Sequence, residues 1–196
     1  IGFPNVGKST FIARVSRARP KIADYPFTTL TPNLGVVSRD VDRNFVVADI
    51  PGLIEGAAEG HGLGHRFLKH VERCRVLLHL LTVDPDPERD PVRDFDALMG
   101  ELERFDPELA RRPMVVAVSK TDLPDVREVV DEVTAALRER GHEAVPAFSA
   151  VTSEGVEHVL DVLEALLAAH PERPAPRARL LDDASAPAPG GGALEV

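Results

Sequence analysis

The stretch that decides the fold is Gly2-Phe3-Pro4-Asn5-Val6-Gly7-Lys8-Ser9-Thr10, which matches the phosphate-binding pattern G-x-x-x-x-G-K-[ST]. Two glycines let the backbone turn tightly, and successive N–H groups then form a cradle for phosphate oxygens. Lys8 supplies positive charge at the β- and γ-phosphates, and the Ser9 hydroxyl is placed to bind Mg²⁺. A helix predicted over about residues 8–17 points its positive dipole end at the same phosphates. A chance match on a glycine-containing turn is the alternative, and the motifs downstream weaken it.

Composition bounds the class of protein. The 196 residues are 43% hydrophobic and 28% charged, with a net charge of −9, which suits one well-cored domain. The acidic balance argues against strong sequence-independent binding of nucleic acid, which needs a basic face. A single cysteine, Cys74, excludes an intrachain disulfide and fits a reducing, cytoplasmic location. Because no apolar run is long enough to cross a bilayer, we expect no membrane span. We also expect the protein to be a monomer.

The order of elements predicts an α/β fold. Strands alternate with helices, which indicates a mostly parallel sheet covered by helices on both faces, as in P-loop NTPases. The strand that should precede the phosphate-binding loop is represented only by Ile1, so we expect a truncated first strand. Residues 1–170 should form the nucleotide-binding domain. Residues 171–196, rich in Pro, Ala and Gly and without periodicity, are predicted to be a disordered tail or linker.

Individual elements follow from periodicity and from turn residues. The proline- and threonine-rich segment 20–33 predicts an irregular functional loop, and the glycine-rich segment 51–64 should be mobile. Thr152 or Ser153 is expected to cap the last helix, and His79, in an apolar strand, is expected to be a hydrogen-bonded core histidine. Strands are predicted over 34–41, 45–50, 75–83, 114–118 and 144–148, the first two as a hairpin, and helices over 67–73, 94–105, 125–140 and about 153–169.

A second phosphate motif is Asp49-Ile50-Pro51-Gly52, a D-x-x-G pattern at the end of a predicted strand. The aspartate would hold Mg²⁺ through water, and the Gly52 N–H would reach the γ-phosphate. By itself the pattern is weak. Its position, one helix and one hairpin after the phosphate-binding loop, makes it a strong indication.

Two further motifs would read the base. In Ser119-Lys120-Thr121-Asp122, the Asp122 carboxylate can accept hydrogen bonds from N1–H and the exocyclic amine of guanine, whereas adenine would leave it unpaired. The stem of Lys120 can lie along the base. A polar turn with a helix-capping aspartate is the alternative. The last motif, Ser149-Ala150-Val151, could bring a backbone N–H to the guanine oxygen, and alone it carries little information.

Taken in this order, the four motifs resemble those of Ras-type GTPases, with a Ras-like G domain. Segment 24–37, Asp-Tyr-Pro-Phe-Thr-Thr-Leu-Thr-Pro-Asn-Leu-Gly-Val-Val, and segment 49–57, Asp-Ile-Pro-Gly-Leu-Ile-Glu-Gly-Ala, with the Gly-His-Gly-Leu-Gly-His that follows at 60–65, resemble the Obg (CgtA) family of ribosome-associated GTPases. The resemblance covers residues 1 to about 169. It implies a Mg²⁺-dependent switch that binds GTP and GDP, hydrolyses GTP slowly and acts in assembly of the large ribosomal subunit. It also implies that a glycine-rich N-terminal domain typical of the family is absent.

The resemblance assigns roles to individual positions. Ser9 and Thr29 would be Mg²⁺ ligands, with Asp49 acting through water. The first switch would close over the γ-phosphate and the second would span residues 51 to about 64. The first switch consists of Phe27, Thr28, Thr29, Leu30 and Thr31. The residues expected to take part in hydrolysis are Lys8, Thr29, Gly52 and Asn5.

Three positions modify the expected mechanism. Leu53 follows the D-x-x-G pattern where Ras-like enzymes place a glutamine that orients water, so hydrolysis should be slow. Related GTPases with asparagine at the position of Asn5 can bind K⁺ there, and ordinary loop hydrogen bonding is the alternative. Ser119 stands where asparagine is usual, which predicts weaker guanine nucleotide affinity without loss of specificity.

Two other functions remain open. A guanine-nucleotide sensor with incidental hydrolysis is favoured by Leu53, and an ATPase on the same scaffold is disfavoured by Asp122. A metal site is not predicted from three histidines near the second switch, because their spacing does not place them on one helical face. These are His61, His65 and His70.

Overall fold

The computed structural model of the protein describes residues 1–16, 21–22, 33–39, 43–49, 74–86 and 88–171. In chain order its elements are α1 (Lys8–Val15), β1 (Lys21–Ile22), β2 (Asn33–Ser38), β3 (Asn44–Asp49), β4 (Leu77–Leu81), α2 (Pro91–Phe105), α3 (Pro107–Ala110), β5 (Met114–Ser119), α4 (Pro124–Glu139), β6 (Ala147–Phe148) and α5 (Val156–Ala169). The predicted helix 67–73 and all of the predicted tail except Pro171 lie outside the described residues. No described helix is long and apolar enough to cross a membrane.

The described strands form two three-stranded sheets. One is antiparallel, in the order β1-β2-β3, and Val36 of β2 lies opposite Val46 of β3. This confirms the predicted hairpin, while the two residues of β1 fall in a segment that was predicted to be irregular throughout. The other sheet is parallel, in the order β4-β5-β6. The amino group of Ile1 donates to the Leu78 carbonyl at 2.7 Å, and the Leu80 N–H donates to the Ile1 carbonyl at 2.9 Å.

The parallel sheet is buried on both faces. Along β5, Val115 and Ala117 pack into a cluster with residues of α1 and α5, and Val116 and Val118 pack into a cluster with residues of α2 and α4. All four side chains are at most 2% exposed. Burial of one such side chain contributes about 1.5–3 kcal/mol. The continuous apolar run of β5 is therefore explained by its two covered faces, in agreement with the predicted parallel sheet that helices cover on both sides.

Two helix starts differ from the prediction. Helix α2 begins before residue 94 because the Asp90 carboxylate caps it, accepting the N–H groups of Val92 and Arg93 at 3.0 and 2.8 Å. The prediction that Thr152 or Ser153 caps α5 is wrong, since Gly155 occupies the N-cap without any side-chain cap bond. The reason is local, because residues just before the helix form a turn in which Ser153 and Gly155 are both left-handed.

The prediction of a hydrogen-bonded core histidine is also wrong. His79 is fully buried in β4, and neither ring nitrogen has a hydrogen-bond partner among the described residues. Its ring stacks on Phe95 with 5.3 Å between centroids. Burial is the main cause that holds the pKa of His79 well below its ordinary value, so the ring is neutral and packs as an aromatic core group.

We predict that Gly155→Ala destabilises the protein. A Cβ at this position would lie 2.2 Å from the Ala147 carbonyl oxygen, and φ is +71°. The clash at the start of α5 should lower the free energy of unfolding by about 1–3 kcal/mol, measured by urea unfolding.

Gly100→Ala is the matched control. Gly100 lies within α2 and a Cβ there would have no heavy atom within 4 Å, so the change should raise the free energy of unfolding by about 0.5–1 kcal/mol. Equal stability of the Gly155→Ala variant and the unsubstituted protein would contradict the account of this turn.

Candidate functional site

The two glycines of the phosphate-binding pattern are required by geometry. Gly2 has φ +148°, and a Cβ there would lie 2.6 Å from the Leu80 carbonyl oxygen of β4. Gly7 has φ +92° and is the N-cap of α1, where its carbonyl accepts the Phe11 N–H at 2.9 Å. Only glycine fits these two conformations readily. The loop therefore passes close to β4 and delivers the backbone to the N-terminus of a helix, as the sequence predicts.

Lys8 lies across the mouth of this loop. Its Nζ donates to the carbonyl oxygens of Gly2 and Phe3, both at 2.9 Å. The ammonium group is thus held beside the N–H groups at the start of α1, whose dipole adds positive potential. A cation and a helix N-terminus at one place form a site for an anionic group such as phosphate.

Arg89 holds the outer side of the same loop. Its guanidinium lies over the Phe3 ring, 4.3 Å from the centroid, and it pairs with Asp84 at 3.0 Å and with Asp94. Sequence reasoning did not identify this residue, because an arginine in an acidic loop carries no signal of a contact 86 positions away.

Ser9 and Asp49 meet as the two phosphate motifs predict. The Ser9 hydroxyl donates to Asp49 Oδ2 at 2.9 Å, and Asp49 is only 6% exposed at the end of β3. The other carboxylate oxygen, Oδ1, is buried without a partner among the described residues. A buried carboxylate oxygen requires a donor or a cation. A hydroxyl and a carboxylate are hard oxygen ligands, so these two residues fit Mg²⁺.

Ser119 joins the phosphate-binding loop to the motif that is predicted to read the base. It is 2% exposed at the end of β5, and its hydroxyl is 2.6 Å from the Val6 carbonyl and 3.1 Å from the Leu81 carbonyl. Sequence reasoning expected serine to do less than asparagine here. The structure shows that the serine hydroxyl still braces the phosphate-binding loop, because the loop approaches β5 closely enough for a short side chain.

Asp122 does not cap a helix, which removes the alternative reading of this motif. The N-cap of α4 is Leu123, with no side-chain cap bond. Lys120 is left-handed, with φ 63°, and its carbonyl accepts the Leu123 N–H at 2.9 Å. Asp122 Oδ1 is buried and has no hydrogen-bond partner among the described residues. This carboxylate is therefore placed for a partner other than the neighbouring backbone.

The loop Ser149-Ala150-Val151 is hydrogen-bonded to α1, and β6, which precedes it, is hydrogen-bonded to the loop that contains Thr121. Ser149 is fully buried, its N–H donates to the Glu154 carbonyl at 2.9 Å, and its hydroxyl accepts the Thr152 N–H at 3.1 Å. The Thr121 N–H donates to the Phe148 carbonyl at 3.2 Å, which links the two loops predicted to read the base. Arg14 of α1 donates to the carbonyls of Ala150 and Val151, a contact that sequence reasoning missed.

The described part of the predicted site is thus connected by hydrogen bonds at one end of the parallel sheet. The remaining predicted residues lie outside the described part of the chain. These are Phe27, Thr28, Thr29, Leu30, Thr31, Ile50, Pro51 and Gly52. Leu53 and the three histidines that were not predicted as a metal site, His61, His65 and His70, also lie outside the described residues. Ligand sites at the carboxyl ends of parallel strands are typical of open α/β sheets. Together with the loop before α1, this arrangement defines a P-loop nucleotide-binding domain.

The family follows from comparison with known sequences. The family model described as "50S ribosome-binding GTPase" matches residues 1–120, which is more than half of the chain, and the chain belongs to this family.

Curated relatives named GTPase Obg confirm the predicted resemblance to the Obg family. The Myxococcus xanthus protein is 56% identical over 175 residues, which are 88% of this chain and 36% of the relative. The Symbiobacterium thermophilum protein is 53% identical over 183 residues, 92% of this chain and 43% of the relative. The Anaeromyxobacter sp. protein is 52% identical over 183 residues, 92% of this chain and 52% of the relative. The chain spans about a third to a half of the length of these relatives.

Solved structures confirm the fold class, an α/β P-loop domain of the Ras-like type. Aquifex aeolicus Era bound to GDP.AlF4- matches with a TM-score of 0.58 and 20% identity, covering 84% of this chain and 54% of that chain. The G domain of the T. maritima FeoB iron transporter matches with a TM-score of 0.58 and 18% identity, covering 84% of this chain and 94% of that chain.

We predict that Ser119→Ala lowers the free energy of unfolding by about 1–3 kcal/mol, because the buried Val6 carbonyl loses its donor. Urea unfolding measures the change. Thr152→Ala is the control, since its hydroxyl makes only an exposed 3.4 Å contact with the Glu154 N–H and its loss should cost less than about 0.5 kcal/mol. Equal stability of the two variants would contradict the bracing role of Ser119.

Proposed function

We propose that this chain binds GTP and GDP with Mg²⁺ and acts as a molecular switch that hydrolyses GTP slowly. The observation that carries the proposal is the buried Oδ1 of Asp122, which has no hydrogen-bond partner among the described residues and lies at the end of the sheet where the phosphate-binding loop is found. Ser119 connects the two sites through its 2.6 Å hydrogen bond to Val6. A nucleotide whose phosphates lie on the loop would bring its base to this carboxylate.

The chemistry of Asp122 favours guanine over adenine. An ionised carboxylate only accepts hydrogen bonds, and guanine presents two donors, N1–H and the 2-amino group, on one edge. Adenine presents an acceptor at N1, so the buried carboxylate would stay unpaired, which is costly. This argues against the alternative of an ATPase on the same scaffold.

Three described residues would bind the phosphates of the nucleotide and the Mg²⁺ ion. Lys8 and the N–H groups before α1 would bind the β- and γ-phosphates. Ser9 and Asp49 would hold Mg²⁺, with Thr29 as the further expected ligand. When bound, Mg²⁺ neutralises charge on the phosphate oxygens. Ser9 and Asp49 are already in contact, so binding of Mg²⁺ would replace the hydrogen bond between them by their contacts with the ion.

Hydrolysis without a partner should be slow, because Leu53 cannot orient water as glutamine does. The description of the matching family as a 50S ribosome-binding GTPase supports the large ribosomal subunit as partner. A role in assembly of that subunit is proposed from the resemblance to the Obg family. We propose that the chain acts as a cytoplasmic monomer that this partner recognises through the first switch, Phe27 to Thr31, and the second, 51–64. A guanine-nucleotide sensor with incidental hydrolysis is the second candidate, and Leu53 favours it.

Competition binding with fluorescent GDP tests the proposal. Unlabelled ADP should compete about a thousandfold or more weakly than GDP. Lys8→Ala should weaken GTP more than GDP, because it removes charge at the β- and γ-phosphates, and should leave the preference for guanine over adenine unchanged.

Equal competition by ADP and GDP would refute guanine reading and favour the ATPase. Single-turnover GTP hydrolysis then distinguishes the slow GTP-hydrolysing switch from the guanine-nucleotide sensor. A rate on the order of 10⁻⁴–10⁻³ s⁻¹ is expected of an unassisted switch, and no detectable hydrolysis would favour the sensor.

We also propose K⁺ as a second cation, held by Asn5. Asn5 is exposed, its backbone is left-handed with φ 63°, and its side chain has no hydrogen-bond partner among the described residues. The alternative role, ordinary loop hydrogen bonding, thus finds no support in the described part of the chain. The left-handed backbone is a second reason for asparagine at this position, since few residues other than glycine tolerate that conformation.

We predict that single-turnover GTP hydrolysis is at least about tenfold faster in KCl than in NaCl. This is smaller than the roughly 10³–10⁵-fold acceleration that an arginine finger supplies. Asn5→Gly should abolish this difference, because glycine keeps the left-handed backbone and removes the amide. GDP affinity serves as the control and should stay unchanged. Equal rates in the two salts for the unsubstituted protein would exclude the K⁺ role.

A further inference from the structure

Arg14 connects the helix of the phosphate-binding loop with a base-reading loop. In the last turn of α1, its Nε donates to the Ala150 carbonyl at 2.6 Å and its Nη2 donates to the Val151 carbonyl at 2.7 Å. The two ends of this contact are 136 and 137 positions apart in the sequence. A guanidinium with two donors in a fixed fork can hold two successive carbonyls, which a single ammonium cannot do equally well.

This contact determines the direction of one backbone N–H. In a trans peptide the C=O and the N–H point in opposite directions, so a carbonyl of Ala150 held toward α1 turns the Val151 N–H away from α1. The next N–H, that of Thr152, is already used by the Ser149 hydroxyl. The Val151 N–H donates no hydrogen bond among the described residues. Arg14 therefore orients a donor that is available to a ligand.

The loop that carries Asp122 has a different arginine contact. Arg127 of α4 donates from Nε to the Thr121 carbonyl at 2.6 Å. This arginine supports the loop that carries Asp122, whereas Arg14 supports the loop whose N–H groups would meet the 6-oxygen of guanine. Removal of the Arg14 side chain thus takes away a contact of the loop 149–151 and leaves the Arg127 contact with the Thr121 carbonyl in place.

We propose that Arg14 is a positioning residue for base selectivity, fixing the N–H donor of the loop 149–151 relative to the phosphate-binding helix. The inference rests on the proposed guanine-nucleotide binding and goes further by naming the residue that sets recognition of the 6-oxo group. Arg14 acts through the loop and does not touch the nucleotide. Its loss should weaken the hydrogen bond to the 6-oxygen and leave the contacts of Asp122 in place.

The test compares GDP with 6-thio-GDP, which keeps N1–H and the 2-amino group and replaces the 6-oxygen by sulfur, a weak acceptor. The unsubstituted protein should prefer GDP. Arg14→Ala should weaken GDP binding about three- to tenfold and 6-thio-GDP binding less than about twofold. The ratio of the two affinities should therefore fall toward one, and Arg14→Lys, which can hold one carbonyl, should give an intermediate ratio.

Arg104→Ala is the matched control, because Arg104 is exposed and donates only to Gly100 of its own helix, at 3.1 Å. It should leave both affinities unchanged. Equal weakening of GDP and 6-thio-GDP by Arg14→Ala, or an unchanged ratio, would overturn the proposal. Should Arg14→Ala fail to fold by thermal unfolding, the ratio for Arg14→Lys decides by the same criterion. Binding of GDP by the unsubstituted protein tests the proposed function itself, so the two ideas can fail separately.

Discussion

The hydrogen bond from the Ser119 hydroxyl to the Val6 carbonyl, 2.6 Å long and buried, is the contact on which the site depends. It ties the phosphate-binding loop to the end of β5, while the close approach of Gly2 to the Leu80 carbonyl ties the same loop to β4. Both strands are rigid because their side chains are buried on two faces. These contacts tie the predicted phosphate site to the strand end from which the predicted base site begins, as recognition of a whole nucleotide would require.

Besides Glu101 Oε2 in α2, two buried carboxylate oxygens have no hydrogen-bond partner among the described residues, and these two, Asp49 Oδ1 and Asp122 Oδ1, belong to the predicted site. Such groups cost about 1–3 kcal/mol each. They lie at the two ends of the site, one beside Ser9 and one after β5. The two carboxylates suit different partners. A cation suits Asp49, and a pair of N–H donors suits Asp122. Stability given up at these two positions is consistent with ligand recognition at both.

Much of the site could be predicted because its motifs are local in sequence. The sequence motifs at Gly2–Thr10, Asp49 and Asp122 each indicate a backbone turn or the end of a strand. The hairpin and the covered parallel sheet are predicted from the periodicity of apolar residues. The contacts of Arg14 and Ser119 could not be predicted, since they join residues more than 100 positions apart. Likewise the neutral, unpaired ring of His79 follows from burial beneath α2, and the N-cap of α5 at Gly155 follows from close packing against β6. Side chains that act through tertiary contact leave no periodic signal.

The central claim is that one guanine nucleotide spans the phosphate-binding loop and Asp122. A crystal structure of the protein with GDP and Mg²⁺ tests it most directly. The account predicts phosphates on the N–H groups of residues 2–10, Ser9 at the metal, and both Asp122 carboxylate oxygens within hydrogen-bond distance of guanine N1 and the 2-amino group. A base that lies elsewhere, with Asp122 bonded to protein groups instead, would contradict it.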